Sequence, residues 1–288
     1  MLAKEKLLGK TALITGASEG VGQAIAEAFS RYNMKLGLLA RSQDKLDQIA
    51  ETVNRNGSEA IILKADLKNR PAIEDAIEKF KGEFGVLDFL INNAGISVRG
   101  YWSNISLDSE LDIMAVNYAA PVTLIRAVLP DMLKSKKGHI VNINTIGGLY
   151  AAPYNGAYCA SKWALLAYVE SLAYELESTN VHISSLFPGP IDTRFLSNPN
   201  FENFRKSPNI VSPNYIAQKV LSVIDSPKER VFIGSLFKLL VVKIANFNPR
   251  FFRKIIEKKK HAASKTSTWG ISPFKHQIIT VETNKWVF

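Results

Sequence analysis

A short apolar run, Thr11 to Ile14, leads directly into a glycine-rich turn, Gly16-Ala-Ser-Glu-Gly-Val-Gly22. An amphipathic helical pattern follows, with Val21, Ile25, Ala28 and Phe29 on its apolar side. Strand, turn and helix start therefore have to meet within a very short length of chain. Glycine permits the tight turn and lets a ligand come close to the backbone. The first N–H groups of a helix have no partner inside it, and they share the positive end of its dipole. Placed after a strand and a glycine turn, they form a site for a pyrophosphate. Gly16, Ser18, Glu19, Gly20, Val21 and Gly22 are accordingly candidate cofactor contacts.

The rest of the chain alternates in the same way. Strand-like runs at Lys35–Ala40, Ala60–Lys64, Val86–Ile91, Gly138–Asn144, His182–Phe187 and Arg230–Ile233 are interleaved with helical patterns. The helical patterns cover Pro71–Phe80, Leu107–Leu133, Tyr158 to about Glu177 and Pro213–Ile224. The last-but-one of these draws apolar surface from Trp163, Leu166, Tyr168, Leu172 and Leu176. Such alternation predicts an α/β, doubly wound Rossmann-type fold, with a parallel sheet flanked by helices. A chain of 288 residues, 47% hydrophobic, is long enough to bury one sizeable core. The expected organisation is one domain over residues 1–234 and a basic amphipathic extension over 235–288. The long Ile191–Ile210 segment reads as a mobile lid over a site.

The net charge of +10 is unevenly spread. Residues 230–265 hold ten Lys or Arg against one acid, Glu257, so +9 lies there and +1 elsewhere. In the extension, Leu236–Ala245 and Phe251–Lys260 set lysines beside large apolar side chains. That pattern suits either an interfacial helix on an anionic membrane or a helix covering the cleft or a subunit contact. No recognisable nucleic-acid reader accompanies the basic segment, so nucleic acid is not an expected partner. The single cysteine, Cys159, excludes an intramolecular disulfide and suits a reducing compartment. No signal peptide is evident, and no uninterrupted apolar run approaches the roughly 18 residues of a membrane span. A soluble, cytoplasmic protein, or one attached to a membrane surface, is expected. No metal site is expected.

The chemistry-bearing residues fall at strand ends and helix starts. In Asn155-Gly-Ala-Tyr-Cys-Ala-Ser-Lys162, a phenol and an ammonium stand four residues apart and share a helical face. An ammonium beside Tyr158 should lower the phenol's pKa and prepare it for acid–base work. Thr145 places a hydroxyl at the end of the Gly138–Asn144 strand. Asn117 lies inside a helical pattern that its amide disfavours, which indicates a kink or a functional amide. After the second strand, Arg41 and Ser42 stand where an acid would grip a ribose 2′-OH and an arginine would accept a 2′-phosphate. This favours NADP over NAD.

Jointly, Thr15-Gly16-x-x-x-Gly20-x-Gly22, Asp66, Asn92-Asn93-Ala94-Gly95, Asn117, Tyr158-x-x-x-Lys162 and Pro188-Gly189 resemble the short-chain dehydrogenase/reductase family over about residues 10–234. The resemblance implies a sheet of about seven parallel strands, bound NAD(P) and hydride transfer between nicotinamide C4 and a carbonyl or alcohol. It implies Tyr158 as general acid and Lys162 as its modulator and a ribose contact. Asn117 would hold a relay water, Asp66 would meet the adenine, Asn93 the adenosine ribose side and Thr193 the carboxamide. Leu67, Ala94, Gly95, Pro188, Gly189 and Ile191 complete the implied cofactor contacts. Thr145 replaces the family's usual serine, keeping the hydroxyl but adding a methyl and a stiffer χ1. Asn144 stands where serine is common.

The substrate side is expected from Thr145, Leu149, Tyr150, Tyr154 and Tyr158, with Ser97, Pro190 and Phe195 nearby. This set is apolar and aromatic without a carboxylate-binding arginine, and points to an apolar ketone or aldehyde. A homodimer or homotetramer through the helix that begins near Tyr158 is implied by resemblance. The alternative is an NADP(H)-binding scaffold or sensor with impaired chemistry, which Thr145 keeps open.

Overall fold

A computed structural model describes residues 2–197, 201–234 and 236–254. After α1 (Leu2–Leu7), the elements are β1 (Thr11–Thr15), α2 (Gly20–Phe29), β2 (Lys35–Ala40), α3 (Gln43–Arg55), β3 (Glu59–Lys64), α4 (Arg70–Phe84) and β4 (Phe89–Asn92). The second half contains α5 (Leu107–Met114), α6 (Ala120–Lys134), β5 (Gly138–Ile143), α7 (Gly156–Leu176) and β6 (Val181–Pro188). The chain continues through α8 (Glu202–Arg205), α9 (Pro213–Asp225), β7 (Arg230–Ile233) and α10 (Leu236–Phe247).

The seven strands form one parallel sheet in the order β3-β2-β1-β4-β5-β6-β7. The doubly wound fold expected from the alternation is the fold observed. Central strands are buried on both faces, which explains their nearly unbroken apolar runs. Ala12, Ile14, Leu36 and Leu38 face α2, α3 and α9 in one core. Leu13, Leu39, Leu90 and Ile140 face α4, α6 and α7 in the other. Strand order reverses between β1 and β4, so the carboxyl ends of these strands diverge and leave a crevice there.

Several expectations are corrected locally. The fourth strand begins at Phe89 and not at Val86, because Val86 is exposed while Phe89 pairs with β1 and β5. Trp163 is 45% exposed; Leu165 and Val169 supply the buried α7 surface beside Leu166, Leu172 and Leu176. The 191–210 segment is not simply loop, since it contains a 3-10 turn at Arg194–Leu196 and α8. Pro213–Ile224 falls where expected, the Pro71–Phe80 pattern extends to Arg70–Phe84, and α1 and α3 are not among the expected helices. Helical residues 107–134, interrupted by a π-turn at Ala115–Ala119, are long and apolar enough to cross a membrane. Leu124, Ile125, Val128 and Met132 instead pack in the core against the sheet, which is an ordinary use of such a helix.

The amino-terminal edge of the sheet is tied by Asp88, which is 8% exposed. Its carboxylate accepts hydrogen bonds from the Thr11 N–H (3.1 Å) and Thr11 Oγ1 (3.1 Å), and it pairs with Lys137 (3.1 Å). The Asp88 N–H donates back to Thr11 Oγ1 at 2.8 Å. Truncation leaves the buried Thr11 N–H without its acceptor, while the Thr11 hydroxyl keeps the Val86 carbonyl at 2.8 Å. Asp88→Ala should lower the unfolding free energy by about 1–3 kcal/mol, read from the urea midpoint. Because it lies at the far end of the strands from the crevice, nucleotide affinity should not change.

Candidate active site

The turn after β1 follows from its glycines. Gly16 has φ +67°, a left-handed conformation, and its N–H donates to the Leu39 carbonyl at 2.8 Å. A Cβ at Gly22 would stand 2.1 Å from the Gly16 carbonyl oxygen, a backbone atom that cannot yield. Gly22 therefore does not line the crevice as expected; it lies under the turn and sets its curvature. Thr15 couples this turn to the loop after β4. Its Oγ1 accepts from the N–H groups of Asn93 and Ala94, both at 3.0 Å, and Asn93 Nδ2 donates to the Thr15 carbonyl at 2.9 Å. The residue before α2, Glu19, makes no side-chain cap. The first N–H groups of α2 are left to the crevice, the donor set that a pyrophosphate requires.

The crevice has a volume of about 870 Å³. At one end it is lined by Gly16, Ser18, Glu19, Gly20, Val21, Arg41, Ser42, Asp66 and Leu67, and further along by Asn93, Ala94, Gly95, Pro188, Gly189, Ile191 and Thr193. All were expected cofactor contacts. Lys45 and Lys68 also line it and were missed in the sequence. Lys45 pairs with Glu19, and Lys68 pairs with Asp112 at 3.0 Å. A lysine three residues after Ser42 reaches the crevice only because α3 turns it there, which strand-end motifs do not reveal.

At the other end, Tyr158, Lys162, Thr145 and Tyr150 line the wall. Leu149 and Tyr154 do not, contrary to expectation. Leu149 is buried against Ile146, Leu166 and Val242, and Tyr154 turns its ring onto Tyr101, with centroids 5.0 Å apart. Ser97 is likewise away from the wall, its hydroxyl donating to Asn155 Oδ1 at 2.9 Å. Phe195 lies 6.0 Å from the Tyr158 ring and continues into Phe201 and Phe204, so an aromatic row roofs this end. The expected absence of an arginine is also overturned. Arg99, 6% exposed, lines the crevice between the rings of Tyr154 (5.6 Å) and Phe204 (5.2 Å), and its Nη1 donates to the Pro153 carbonyl. It was overlooked because no motif marks the loop after Gly95.

Asn117, whose helix-averse amide predicted a kink or a functional amide, sits in a π-turn and is fully buried. Its Oδ1 accepts from the Ile96 N–H (2.9 Å), while Nδ2 donates to the Ile96 carbonyl (2.9 Å) and to Ser161 Oγ (3.0 Å). Both amide protons are thus spent on fixing the loop after Gly95 to α7. Thr145 Oγ1 accepts from the Gly147 N–H at 3.2 Å and donates to the Pro188 carbonyl at 3.5 Å, on the crevice wall that Tyr158 also lines. The Lys162 ammonium, 4% exposed, donates to the Ile143 carbonyl at 3.0 Å.

The expected lowering of the phenol's pKa by Lys162 is corrected. Burial pushes Tyr158 upward, and the opposing influence is the hydrogen bond with Thr145. Burial likewise pushes Lys162 down to about 8. At neutral pH the phenol therefore holds its proton, as a donor must.

The shift makes a stability prediction that needs no substrate. The unfolded lysine keeps its proton to about 10.5 and the folded one only to about 8. Between those values the unfolded chain binds more protons, so stability rises with pH. Relative to Lys162→Met, the wild type should gain roughly 2–3 kcal/mol between pH 7 and 10, measured by chemical denaturation. A pH-independent difference would show that the buried ammonium is not desolvated.

A family model described as short chain dehydrogenase matches residues 10–202, which is 193 of the 288. An Anopheles gambiae protein named dehydrogenase/reductase SDR family protein 7-like is 38% identical over 192 residues, 65% of this chain. The chain spans about three-fifths of that relative, 61% of its length. The ketoacyl reductase HetN of Nostoc sp. is 32% identical over 241 residues, covering 82% of this chain and 84% of the relative. Among solved structures, an alcohol dehydrogenase from the archaeon Thermococcus sibiricus, complexed with 5-hydroxy-NADP, aligns with TM-score 0.71 and 28% identity. That alignment covers 79% of this chain and 97% of the other. With the glycine turn, the Thr15 lock and the Thr145–Tyr158–Lys162 wall in one crevice, these matches make the chain a member of the short-chain dehydrogenase/reductase family.

Proposed function

We propose that the protein is an NADP(H)-dependent reductase of an apolar ketone or aldehyde, with Tyr158 as the general acid. The observation that carries the reading is that Thr145, Tyr158 and Lys162 line one wall of the crevice that the glycine turn opens, with burial holding the phenol in its protonated form. A nicotinamide cofactor supplies the hydride for such a reaction. The protein's part is to position and protonate. Thr145 and Tyr158 together present two hydroxyls to a carbonyl oxygen, and the phenol gives its proton as negative charge develops there. Lys162, held by the Ile143 carbonyl, keeps a positive charge close to the same wall and favours the phenolate left behind. Asn117 fixes the loop that carries Gly95 and Ile96, and a relay through its remaining Oδ1 lone pair is part of this proposal.

Apolar walls from Ile96, Tyr150, Phe195, Phe201 and Val241 support an apolar substrate body. HetN, by its name a ketoacyl reductase, favours the direction of reduction. For the cofactor, Arg41 lines the crevice at the end of β2 and forms no ion pair among the described residues, which leaves it for a 2′-phosphate. The NADP ligand of the archaeal relative points the same way. The presence of Thr145, Tyr158 and Lys162 on one crevice wall favours turnover over a silent scaffold. A homo-oligomer is supported by Trp163 and Tyr174, 45% and 81% exposed on α7, beside Leu107 and Leu111 on α5.

Tyr158→Phe should lower kcat by at least about a hundredfold while NADPH still binds, followed by NADPH oxidation over a carbonyl panel and by cofactor fluorescence. Normal turnover by that variant would remove Tyr158 from the acid role. Silence of the wild type across a broad panel would instead favour the scaffold. Arg41→Asp should move the ratio of kcat/KM for NADPH over NADH toward NADH by about tenfold or more, since a charge-assisted phosphate contact is lost. An unchanged ratio would dismiss the 2′-phosphate contact.

A further inference from the structure

Helix α10 meets the domain with one side only. Val242 and Ala245 are buried, Val242 in one cluster with Ile146, Leu149 and Phe187, Asn246 Nδ2 donates to the Leu149 carbonyl at 2.8 Å, and Val241 lines the crevice. The chain then breaks at Asn248, whose Oδ1 accepts from the Phe251 N–H at 3.0 Å, and turns helical again over residues 249–254. In that second segment Phe252 packs edge-on against Tyr150. The extension thus covers the substrate end of the crevice, one of the two roles its sequence allowed.

The other side is uncovered and apolar. Leu240, Phe247 and Phe251 are 53%, 93% and 52% exposed, at spacings that keep them on one face of the helical pair. Phe247 and Phe251, with Lys243, Ile244 and Asn248, edge a shallow groove of about 380 Å³. The cations Lys243, Arg250, Arg253 and Lys254 are all exposed, and residues 236–254 contain no Asp or Glu. Charge selects the occupant. A second copy of this face would bring like charges together across a two-fold axis. The chain beyond residue 254 has six lysines against two acids, so its sequence offers no net complementary charge. Bare aromatic side chains ringed by cations match the boundary between acyl chains and anionic headgroups.

We propose that the outer face of α10 and residues 249–254 docks on an anionic lipid bilayer. Phe247 and Phe251 enter the headgroup boundary, and the inner face of the same helix closes the substrate end of the crevice. Docking stands on this surface alone. A consequence, which rests on the apolar-substrate reading, is that such a substrate reaches Tyr158 from the membrane side.

The test is flotation of the full chain with vesicles of phosphatidylcholine, alone or mixed with phosphatidylserine. The expected result is binding to the anionic vesicles that falls with added salt. Phe247→Ser/Phe251→Ser should weaken it by roughly tenfold or more, given the apolar area each ring would bury. Arg250→Gln/Arg253→Gln should weaken it as well. All four positions are exposed, and an unchanged circular dichroism spectrum verifies the fold. No flotation of the wild type, equal flotation with neutral vesicles, or flotation untouched by the Phe pair would each overturn the proposal. So would a Phe-pair variant that dissociates an oligomer by sedimentation, because a second copy would then own this face. None of these outcomes depends on carbonyl turnover, so failure here leaves the reductase reading to its own tests.

Discussion

The hydroxyl of Thr15 is the tie on which the crevice depends. It stands at the last residue of β1, where strand order reverses, and takes the N–H groups of Asn93 and Ala94. Without that acceptor the Ala94 N–H would lose its partner, a cost of about 1–3 kcal/mol when buried, while the Asn93 N–H would keep only the Ile91 carbonyl at 3.1 Å. The tie also sets the separation between the glycine turn and the Asn93–Gly95 loop, and hence the width available to a nucleotide. Gly22 fixes the same turn from below through its contact with Gly16. The free N–H groups at the start of α2 therefore face the crevice because of packing at a strand end.

At the other end the governing factor is burial. Desolvation acts against the charged form of both Tyr158 and Lys162, raising one pKa and lowering the other. The pair is poised as a neutral donor beside an easily deprotonated ammonium, in place of the phenolate–ammonium pair that proximity alone suggests. Thr145 works against this burial by hydrogen bonding, while its second bond to Gly147 fixes its own rotamer.

The carboxyl-terminal helix has no apolar–polar division of the ordinary kind. Its inner side packs on Leu149 and its outer side shows Leu240 and Phe247 to solvent. A helix apolar on both sides implies two apolar surroundings. The domain provides one of them, where Val241 lines the crevice that Phe195 and Phe201 also border.

The sequence by itself determined the layered fold and the positions of the chemistry. Alternating apolar runs dictate parallel strands, and glycine spacing dictates the turn. The i, i+4 relation of Tyr158 and Lys162 and the misfit of Asn117 in a helix are local facts, and the π-turn at Asn117 follows from the latter. Only the tertiary structure decided which neighbours each side chain meets. It sent Leu149 and Tyr154 away from the crevice, brought Lys45 and Arg99 to it, and set the direction of the Tyr158 shift. It also showed that the extension turns one face inward. The physical reason is range: backbone geometry and periodicity act over a few residues, whereas desolvation and ring stacking depend on segments that are distant in the chain, as Arg99 with Tyr154 and Phe204 shows.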